Sequence, residues 1–571
     1  MGVELHFLCL VLTALSGLDL VSPATQDIPV QIGSPGTAQS VGRVDASQGT
    51  GVIRGRVTSA ATGQPLRRVR VSAQPQNNEA SIIANTNIKG EYVLKGLKPG
   101  KYRVTAARLG YLAAEFGQKR IRQPGSEIEI GKAQTVGNID IALPIGGVMT
   151  GRLTDELGEP CDNLAVVALS VRYNRGQRVP FPAGVSTTND DGEFRISNLE
   201  PGEYFLMAKS VETWEAEDGS GKVFGYAPTY FPGTARWNEA GVIGIQIGQR
   251  QNSLDFSLVV ARAVRVSGVA VSASGDPLAG ETVLLREFYR GAGYVSSVET
   301  SSVVASRNGT FELRNIPPGE YRLGVRNTHG SQGVVETGGA SLTVGGEDID
   351  GLVIATKRGS AVSGTVVSEG GVPPQQSVGG LRISLVAIDE DKILPSGILP
   401  TDQVVRNDWT FKLTNVAGPY LFRLQGLPDD WTLKAVLLGD RDLTDEGVNI
   451  PDGGAEIGPV RIVITQRVTK ISGSAVKTDG SPLSDGVVLV FAADEKLWGV
   501  GSRFVKLART DAKGDFFLSG LPPERYCAVL LDYVTSGQWE DHNFLEQIRR
   551  DAIAFDLYDG ITKQLSLKSG R

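Results

Sequence analysis

The chain has 571 residues, several times the usual domain size of roughly 100 to 150 residues, so it is expected to be a string of modules. With 71 Gly and 28 Pro among 41% hydrophobic residues, turns are frequent, which disfavours a helical protein. A net charge of −6, a pI near 5.5 and the lack of any Lys and Arg run exclude an electrostatic footprint for nucleic acid.

The N-terminus has the layout of a secretory signal peptide. Leu5 to Leu20 form an apolar run, and the small residues Ser22, Pro23 and Ala24 follow it, which predicts a signal over residues 1–24 and a linker over 25–48. We therefore expect an exported protein that is periplasmic, on the cell surface or secreted. No later stretch has the ~18 apolar residues of a spanning helix. The mature chain is thus predicted to lack a transmembrane segment and to be soluble or peripherally attached.

An opening motif recurs five times along the chain. Apolar residues alternate around a Gly and a Gly-x-Pro turn follows, in segments that start at Ile53, Met149, Val266, Val362 and Ile471. Alternation with period two indicates a strand with one buried face, and the turn predicts a hairpin that opens every repeat. The Gly inside the strand predicts a bulge or a close backbone approach.

A second motif, the core motif, follows each opening motif. A turn containing Gly precedes an aromatic residue and an alternating strand, then a Pro- and Gly-containing turn leads to a Tyr. The five copies are Lys89 to Tyr102, Asp191 to Tyr204, Asn308 to Tyr321, Asn407 to Tyr420 and Lys513 to Tyr526. Gly supplies the positive φ of the tight turn, and the aromatic starts an inward-facing set. In the fourth copy Trp409 replaces that Gly, so this repeat is divergent.

Short strands with closely spaced turn signals predict an all-β fold: a tandem array of about five Greek-key β-sandwich domains. The predicted boundaries are 49–145, 146–259, 260–357, 358–468 and 469–571. In the fourth repeat, a further strand-like stretch runs from Trp431 to Ile464. One short C-terminal helix is predicted, capped by Asp541, with Phe544, Leu545, Ile548 and Ala552 at helical spacing. We expect it to pack on the last repeat.

Together the motifs G-x-V-x-x-x-x-G-x-P-L and D/N-G-x-F-x-L-x-x-L-x-P-G-x-Y resemble the carboxypeptidase regulatory-like domain. The resemblance covers nearly all of residues 49–571 and implies a transthyretin-like, or prealbumin-like, seven-stranded sandwich in each repeat. Three further segments, YAPTYFPGT from Tyr226 and those from Trp431 and Gln538, are similar to long exported repeat proteins of soil bacteria. In peptidases this module is an accessory to a separate catalytic domain.

The residues needed for catalysis are scarce, so we predict no enzyme activity, no catalytic residue, no cofactor and no metal. The only His residues are His6, His329 and His542, too scattered for a zinc site, and the last two are expected on solvated loops. No G-x-S-x-G elbow is present. Cys161 and Cys527 fall in different repeats, so a disulfide between them is not expected.

Turn residues with side-chain oxygens invite a calcium interpretation in two repeats. They are Asn189, Asp190 and Asp191 in the second repeat, and Asp511 with Asp515 in the fifth. Calcium needs six or more oxygen ligands, and neither loop has the spacing or the closing Glu of a calcium loop. Asn and Asp are also what hairpin turns require, so the turn role is favoured.

One aromatic cluster could bind a ligand by stacking. Tyr226, Tyr230, Phe231 and Trp237 could form a platform for sugar rings. The alternative is that these residues cover a sheet edge, which the neighbouring Pro and Gly residues favour.

The sequence leads to a functional hypothesis with open alternatives. We expect an exported, non-catalytic binding or structural protein whose sandwiches act as spacers and whose loops recognise envelope or extracellular proteins. One alternative is a carbohydrate-binding accessory protein of polysaccharide degradation, with polysaccharide as its partner. A weaker alternative is a detached accessory to an exported peptidase or an outer-membrane transporter.

Overall fold

The computed structural model describes residues 49–76, 80–287, 299–328, 335–371, 380–389 and 403–569. The predicted signal peptide, the linker and His329 lie outside the described residues. The chain divides into two compact units. The first runs through Val171 and adds Pro182–Thr213 and Gly225–Ala261. The second comprises Arg172–Phe181, Trp214–Phe224 and Arg262–Arg571.

The described strands form ten sheets, two for each repeat, so the all-β tandem fold is confirmed. We call each pair a sandwich and number the sandwiches from the N-terminus. The first sheet of a sandwich holds its opening strand. The predicted repeat boundaries themselves stay predictions.

Sandwich 1 has the sheet order β4-β1 with β8 and β9 beside β1, and β3-β2-β5 with β6 and β7 beside β5. Its strands are β1 (Gly51–Ser59), β2 (Arg70–Pro75), β3 (Ile82–Asn85), β4 (Glu91–Leu97), β5 (Gly100–Ala107), β6 (Ala114–Glu115), β7 (Ile128–Ile130), β8 (Thr135–Val136) and β9 (Ile141–Leu143).

Sandwich 2 repeats this order, with β13-β10 beside β19 and β20, and β12-β11-β14 beside β17 and β18. Its strands are β10 (Gly147–Thr154), β11 (Ala165–Asn174), β12 (Gln177–Thr187), β13 (Glu193–Leu199), β14 (Gly202–Lys209), β17 (Thr229–Tyr230), β18 (Ile243–Ile245), β19 (Arg250–Gln251) and β20 (Phe256–Ser257).

Sandwich 3 takes two strands, β15 (Thr213–Glu215) and β16 (Val223–Tyr226), from within the second repeat. The remaining strands are β21 (Val260–Val271), β22 (Thr282–Glu287), β23 (Glu299–Val304), β24 (Thr310–Ile316), β25 (Gly319–Asn327), β26 (Glu336–Val344), β27 (Ile349–Ala355) and β28 (Lys357–Arg358). Strands β15 and β16 extend the first sheet, in which β21 also pairs with β24 and β27. The second sheet has the order β23-β22-β25-β26-β28.

Sandwich 4 has the sheet orders β31-β29-β36-β33-β34 and β30-β32-β35. The stretch predicted between Trp431 and Ile464 is confirmed as strands. The strands are β29 (Ser360–Ser368), β30 (Arg382–Ala387), β31 (Thr410–Val416), β32 (Gly418–Gln425), β33 (Thr432–Leu438), β34 (Arg441–Asp442), β35 (Val448–Ile450) and β36 (Glu456–Thr465).

Sandwich 5 has the sheet orders β40-β37-β43 and β39-β38-β41-β42. Its strands are β37 (Lys470–Val476), β38 (Val487–Ala492), β39 (Val505–Arg509), β40 (Asp515–Ser519), β41 (Glu524–Leu531), β42 (Ile553–Leu557) and β43 (Thr562–Lys568). The predicted helix is confirmed as α1 (His542–Arg549), with Asp541 accepting a hydrogen bond from the backbone N–H of Asn543. Leu545 and Ile548 are buried in the sandwich core. Ala552 follows the helix, which ends at Arg549.

The predicted opening hairpin is wrong. The opening strand β1 pairs with β4, in the core motif, whereas the next strand, β2, belongs to the second sheet. Only one isolated bridge, Thr58 to Pro65, spans the intervening turn, and the same bridge recurs in three other repeats. Because Pro has no backbone N–H, it cannot extend the ladder, and the chain crosses to the other sheet.

The predicted close approach at the opening-strand Gly is confirmed in all five repeats. A Cβ at any of these positions would clash with a carbonyl oxygen of the neighbouring segment. The register places each Gly directly opposite the aromatic of the core motif, as Gly151 is opposite Phe194. The five glycines are Gly55, Gly151, Gly268, Gly364 and Gly473.

The core motif builds the interior as predicted. Each aromatic and the apolar residue two positions on are buried, as Phe516 and Leu518 are in sandwich 5. The turn Gly has positive φ in four copies, for example 73° at Gly192, and in the fourth copy Trp409 itself has φ 64°. The non-Gly residue is thus held in the left-handed region that Gly favours.

Candidate functional site

The predicted stacking residues lie on and after two short strands of the chain. Tyr226 ends β16, and Tyr230 lies in β17, at the edge of the second sheet of sandwich 2, where it pairs with Met207. Phe231 and Trp237 follow in the next segment. Tyr226 and Tyr230 are buried, with 8% and 3% exposure, whereas Phe231 and Trp237 are half-buried.

The hydroxyl of Tyr226 donates a hydrogen bond of 2.7 Å to Glu156 Oε2. Burial is the largest cause that raises the pKa of this hydroxyl, and the hydrogen bond and negative charge of Glu156 add to it. Tyr226 therefore stays a neutral donor to Glu156.

The other rings of the cluster pack edge-to-face on neighbouring rings. The ring centroids of Phe231 and Phe256 are 6.1 Å apart with an interplanar angle of 89°. Those of Trp237 and Phe205 are 5.1 Å apart with an interplanar angle of 71°. Phe256 is itself buried. A stacking platform needs exposed ring faces, so these contacts favour the sheet-edge alternative. Sugar stacking on Phe231 and Trp237 stays a prediction.

The Asn and Asp side chains of these turns accept hydrogen bonds from the backbone of the same turns. Asn189 Oδ1 accepts hydrogen bonds from the N–H groups of Asp191 and Glu193, and Asp511 Oδ1 accepts from those of Lys513 and Asp515 at 2.8 Å. Such bonds define Asx turns. Within the described ranges, no group of three or more His, Cys, Asp or Glu side chains could hold a metal ion.

The histidine and cysteine predictions have mixed outcomes. His542 is the first residue of α1, so its predicted loop position is wrong, although its side chain is 57% exposed. Cys161 and Cys527 are free thiols, as expected. Burial, followed by nearby carboxylates, raises the pKa of Cys161 to about 11. No described helix is long and apolar enough to cross a membrane.

The motif Tyr does more than open a strand. Its hydroxyl donates to the carbonyl four residues earlier in four repeats: Tyr102 to Lys98, Tyr204 to Glu200, Tyr321 to Pro317 and Tyr526 to Pro522, at 2.7–2.9 Å. This bond is a tyrosine corner, which fixes the turn before the strand. The invariant Tyr in the repeat was its sequence signal.

A charged network joins sandwiches 4 and 5. Arg503, from sandwich 5, donates Nε and Nη2 to the two oxygens of Asp445 at 2.9 and 2.7 Å. Arg423 lies 3.5 Å from the same carboxylate and donates to the carbonyl of Gly501 at 2.9 Å. The Arg423 and Arg503 side chains are only 15% and 19% exposed.

Electrostatics explain why the network holds both cations. Burial lowers the pKa of Arg423 to about 10; Asp445 opposes that shift, whereas the charge of Arg503 adds to it. Without Asp445 the two cations would face each other with little solvent. Asp445 thus offsets the repulsion between the two cations at the junction.

A second network surrounds the buried carboxylate of Glu336, between sandwiches 3 and 4. It accepts hydrogen bonds from the Ala273 N–H, Asn327, Thr356 and Arg358. Burial alone would raise the pKa of Glu336, but these bonds outweigh it and the net shift is downward. The Arg358 carbonyl in turn accepts from the Gly453 N–H of sandwich 4.

The fold defines the class, a protein of tandem β-sandwich modules, and a comparison with known families bears on its first module. Residues 52–144, which span sandwich 1, match the family model of the carboxypeptidase regulatory-like domain. The resemblance stated from the sequence motifs is thus confirmed for that module. No curated protein matches the chain.

Several solved structures are similar to parts of the chain. A streptococcal ancillary pilin is 13% identical and covers 53% of this chain and 98% of its own, with a TM-score of 0.21. The minor pilin GBS52 of Streptococcus agalactiae is 15% identical and covers 36% of this chain and 96% of its own, with a TM-score of 0.20. The major pilin subunit of Bacillus cereus is 13% identical and covers 54% of this chain and 99% of its own, with a TM-score of 0.14. At these TM-scores the similarities carry no argument about function.

Proposed function

We propose that the chain is an exported, non-catalytic binding or structural protein, in which braced sandwiches carry recognition loops for envelope or extracellular proteins. The observation that carries the proposal is the use of charged residues at the junctions between sandwiches. Asp445 of sandwich 4 binds Arg503 of sandwich 5 across the junction, and Arg423 of sandwich 4 lies beside the same carboxylate. Such a bidentate, partly buried pair holds geometry better than an exposed one.

The loops that follow the motif Tyr supply the recognition surface of this proposal. Seven residues after that Tyr, three sandwiches expose an apolar side chain: Leu109 at 93%, Val211 at 71% and Tyr533 at 39%. Loops held by a rigid scaffold carry binding residues disproportionately often, and the same loop position is apolar and exposed in all three sandwiches.

The proposal is tested by capture from an envelope extract of the source cells. Immobilised full-length protein should retain a defined set of proteins, and Leu109→Ser with Tyr533→Ser should release part of that set. Val353→Ser, at a 70% exposed position of β27 outside these loops, is the control. Equal retention by the loop variant would contradict loop-borne recognition.

The alternative, a carbohydrate-binding accessory protein, is supported by Phe231 and Trp237, which are the half-buried members of the aromatic cluster. Trp237→Ala removes the ring that packs on Phe205. Retention on an insoluble polysaccharide that this variant abolishes, with unchanged hydrogen exchange in sandwich 2, would favour the alternative. Loss of protection without loss of binding would favour the sheet-edge role.

A further inference from the structure

Charge is distributed unevenly along the chain. Residues 49–145 hold 15 Lys and Arg against 6 Asp and Glu, a formal charge of +9, whereas the whole chain carries −6. Sandwich 1 is therefore strongly basic and the rest of the chain is acidic. Charge asymmetry of this size indicates an anionic partner for the basic part.

Several of these cations meet at one end of sandwich 1, where β1 ends and β2 begins. Arg67 and Arg68 lie in the connection between these strands, and Arg70 is the first residue of β2. Lys89 precedes β4 and Arg108 follows β5. We call these five residues the basic end.

The strand register brings the members of the basic end together. Arg70 pairs with Asn85 on one side and with Ala107 on the other. Since neighbouring strands are about 4.8 Å apart, the turn holding Lys89 and the loop holding Arg108 both leave the sheet beside Arg70.

The cations of the basic end are available for a partner. Arg67, Arg68 and Lys89 are exposed, and within the described residues they and Arg70 have no carboxylate in ion-pair distance. Arg108 lies 5.5 Å from the ring centroid of Tyr111. Internal ion pairing therefore does not account for this concentration of charge.

Two apolar side chains lie at the tips of the same loops. Ile88, next to Lys89, is 78% exposed, and Leu109, next to Arg108, is 93% exposed. Single exposed apolar residues are normal on a surface. Two of them on the loops that flank the start of β2, each beside a cation, form the amphipathic pattern of a membrane-surface contact.

We propose that the basic end of sandwich 1 is a membrane-surface site for anionic phospholipids. Ile88 and Leu109 enter the interface between headgroups and acyl chains, and the surrounding Arg and Lys side chains bind the lipid phosphates. An anionic polysaccharide or nucleic acid would satisfy the cations but leave both apolar tips in water. The inference goes beyond the proposed function and stands without any protein partner.

Sandwich 2 offers a matched control. At its corresponding end Leu157 is 80% and Val211 71% exposed, but the neighbouring side chains are Asp155, Glu156 and Glu212. This end has the apolar tips without the cations. An anionic membrane would repel it.

The test is flotation of the mature chain, residues 25–571, with vesicles of phosphatidylcholine alone or of equal parts phosphatidylcholine and phosphatidylglycerol. We expect the wild type to float only with the anionic vesicles, and less at high salt. Arg67→Gln with Arg70→Gln should weaken binding about 25-fold, because each cation near an anionic surface contributes about fivefold. Ile88→Ser with Leu109→Ser should weaken it at least about tenfold.

Leu157→Ser should float like the wild type. Hydrogen exchange in β2 and β5 of each variant, equal to that of the wild type, separates lost binding from lost folding. Equal flotation with neutral and anionic vesicles would overturn the proposal. Wild-type binding by Ile88→Ser with Leu109→Ser would also overturn the proposal, because it would show that the cations bind a polyanion without help from the apolar tips.

Discussion

Replacing Gly151 with Ala isolates the close approach at the opening strand. Gly151 has no positive φ, so Ala costs nothing in backbone strain. Its Cβ would overlap the Leu254 carbonyl oxygen and lie 2.8 Å from Phe194 Cζ. Both neighbours are parts of the core and cannot move away.

The expected cost of this overpacking is about 1–3 kcal/mol. Gly244→Ala is the matched control, because Gly244 also lies in a strand of sandwich 2 and a Cβ there meets nothing within 4 Å. Gly244→Ala should stabilise the sandwich by about 0.4–1 kcal/mol, because Ala lowers the conformational entropy of the unfolded chain.

Hydrogen exchange on the full chain measures both effects locally, since multidomain unfolding is not two-state. Protected amides of β10 and β13 should exchange about 5- to 150-fold faster in Gly151→Ala. In Gly244→Ala they should exchange no faster than in the wild type, and amides of β38 in sandwich 5 should not change in either variant. If Gly151→Ala and Gly244→Ala behave alike, the close approach does not restrict this position and the reasoning is refuted.

Three further predictions follow from the junctions and the tyrosine corners. Tyr526→Phe removes the hydroxyl bond to Pro522 and should destabilise sandwich 5 by about 1 kcal/mol; Tyr558→Phe, at an exposed position, should change its hydrogen exchange little. Asp445→Ala leaves Arg423 and Arg503 facing each other and should cost about 2–4 kcal/mol, seen as faster exchange in β33 and β39. Asp452→Ala, which breaks the exposed pair with Lys357, should cost under about 1 kcal/mol. The pKa of Glu336 is lowered on folding. Its contribution to the stability of the folded state is therefore fully present above its unfolded pKa of about 4.3 and is lost as pH falls through the folded pKa. Protection of β26 should therefore fall in acid, and Glu336→Gln should remove that part of the pH dependence; an unchanged acid profile in Glu336→Gln would contradict this assignment.

Local patterns predicted the modules well, because each repeat restates the same physical requirements. The opening Gly and the core aromatic recur in all five copies and the turn Gly in four, so the repetition identified them. Asp541 and the apolar spacing after it predicted α1 for the same reason, since capping and amphipathicity are local.

The sheet assignment of the opening strand could not be predicted from the turn. A Gly-x-Pro turn fits a hairpin and a crossover between sheets equally well, and only the tertiary pairing of β1 with β4 decides between them. Burial of Tyr226 and Tyr230 was hidden in the same way, because aromatic composition does not say which way a ring faces.

The junction networks left no readable pattern in the sequence. Asp445 and Arg503 are 58 residues apart, and the partners of Glu336 come from three separate segments. Charged residues at such distances look like ordinary solvated residues until the sandwiches are in place. The basic end is similar, because the overall charge of −6 conceals the +9 of sandwich 1.

We expect this chain to bind through loops carried on braced sandwiches. Quantitative capture from the envelope extract tests this binding mode, with the wild type, Leu109→Ser with Tyr533→Ser, and Trp237→Ala each checked for unchanged hydrogen exchange. The loop variant should lose retained proteins, and Trp237→Ala should keep them. Retention limited to an insoluble polysaccharide, and abolished by Trp237→Ala alone, would contradict this binding mode.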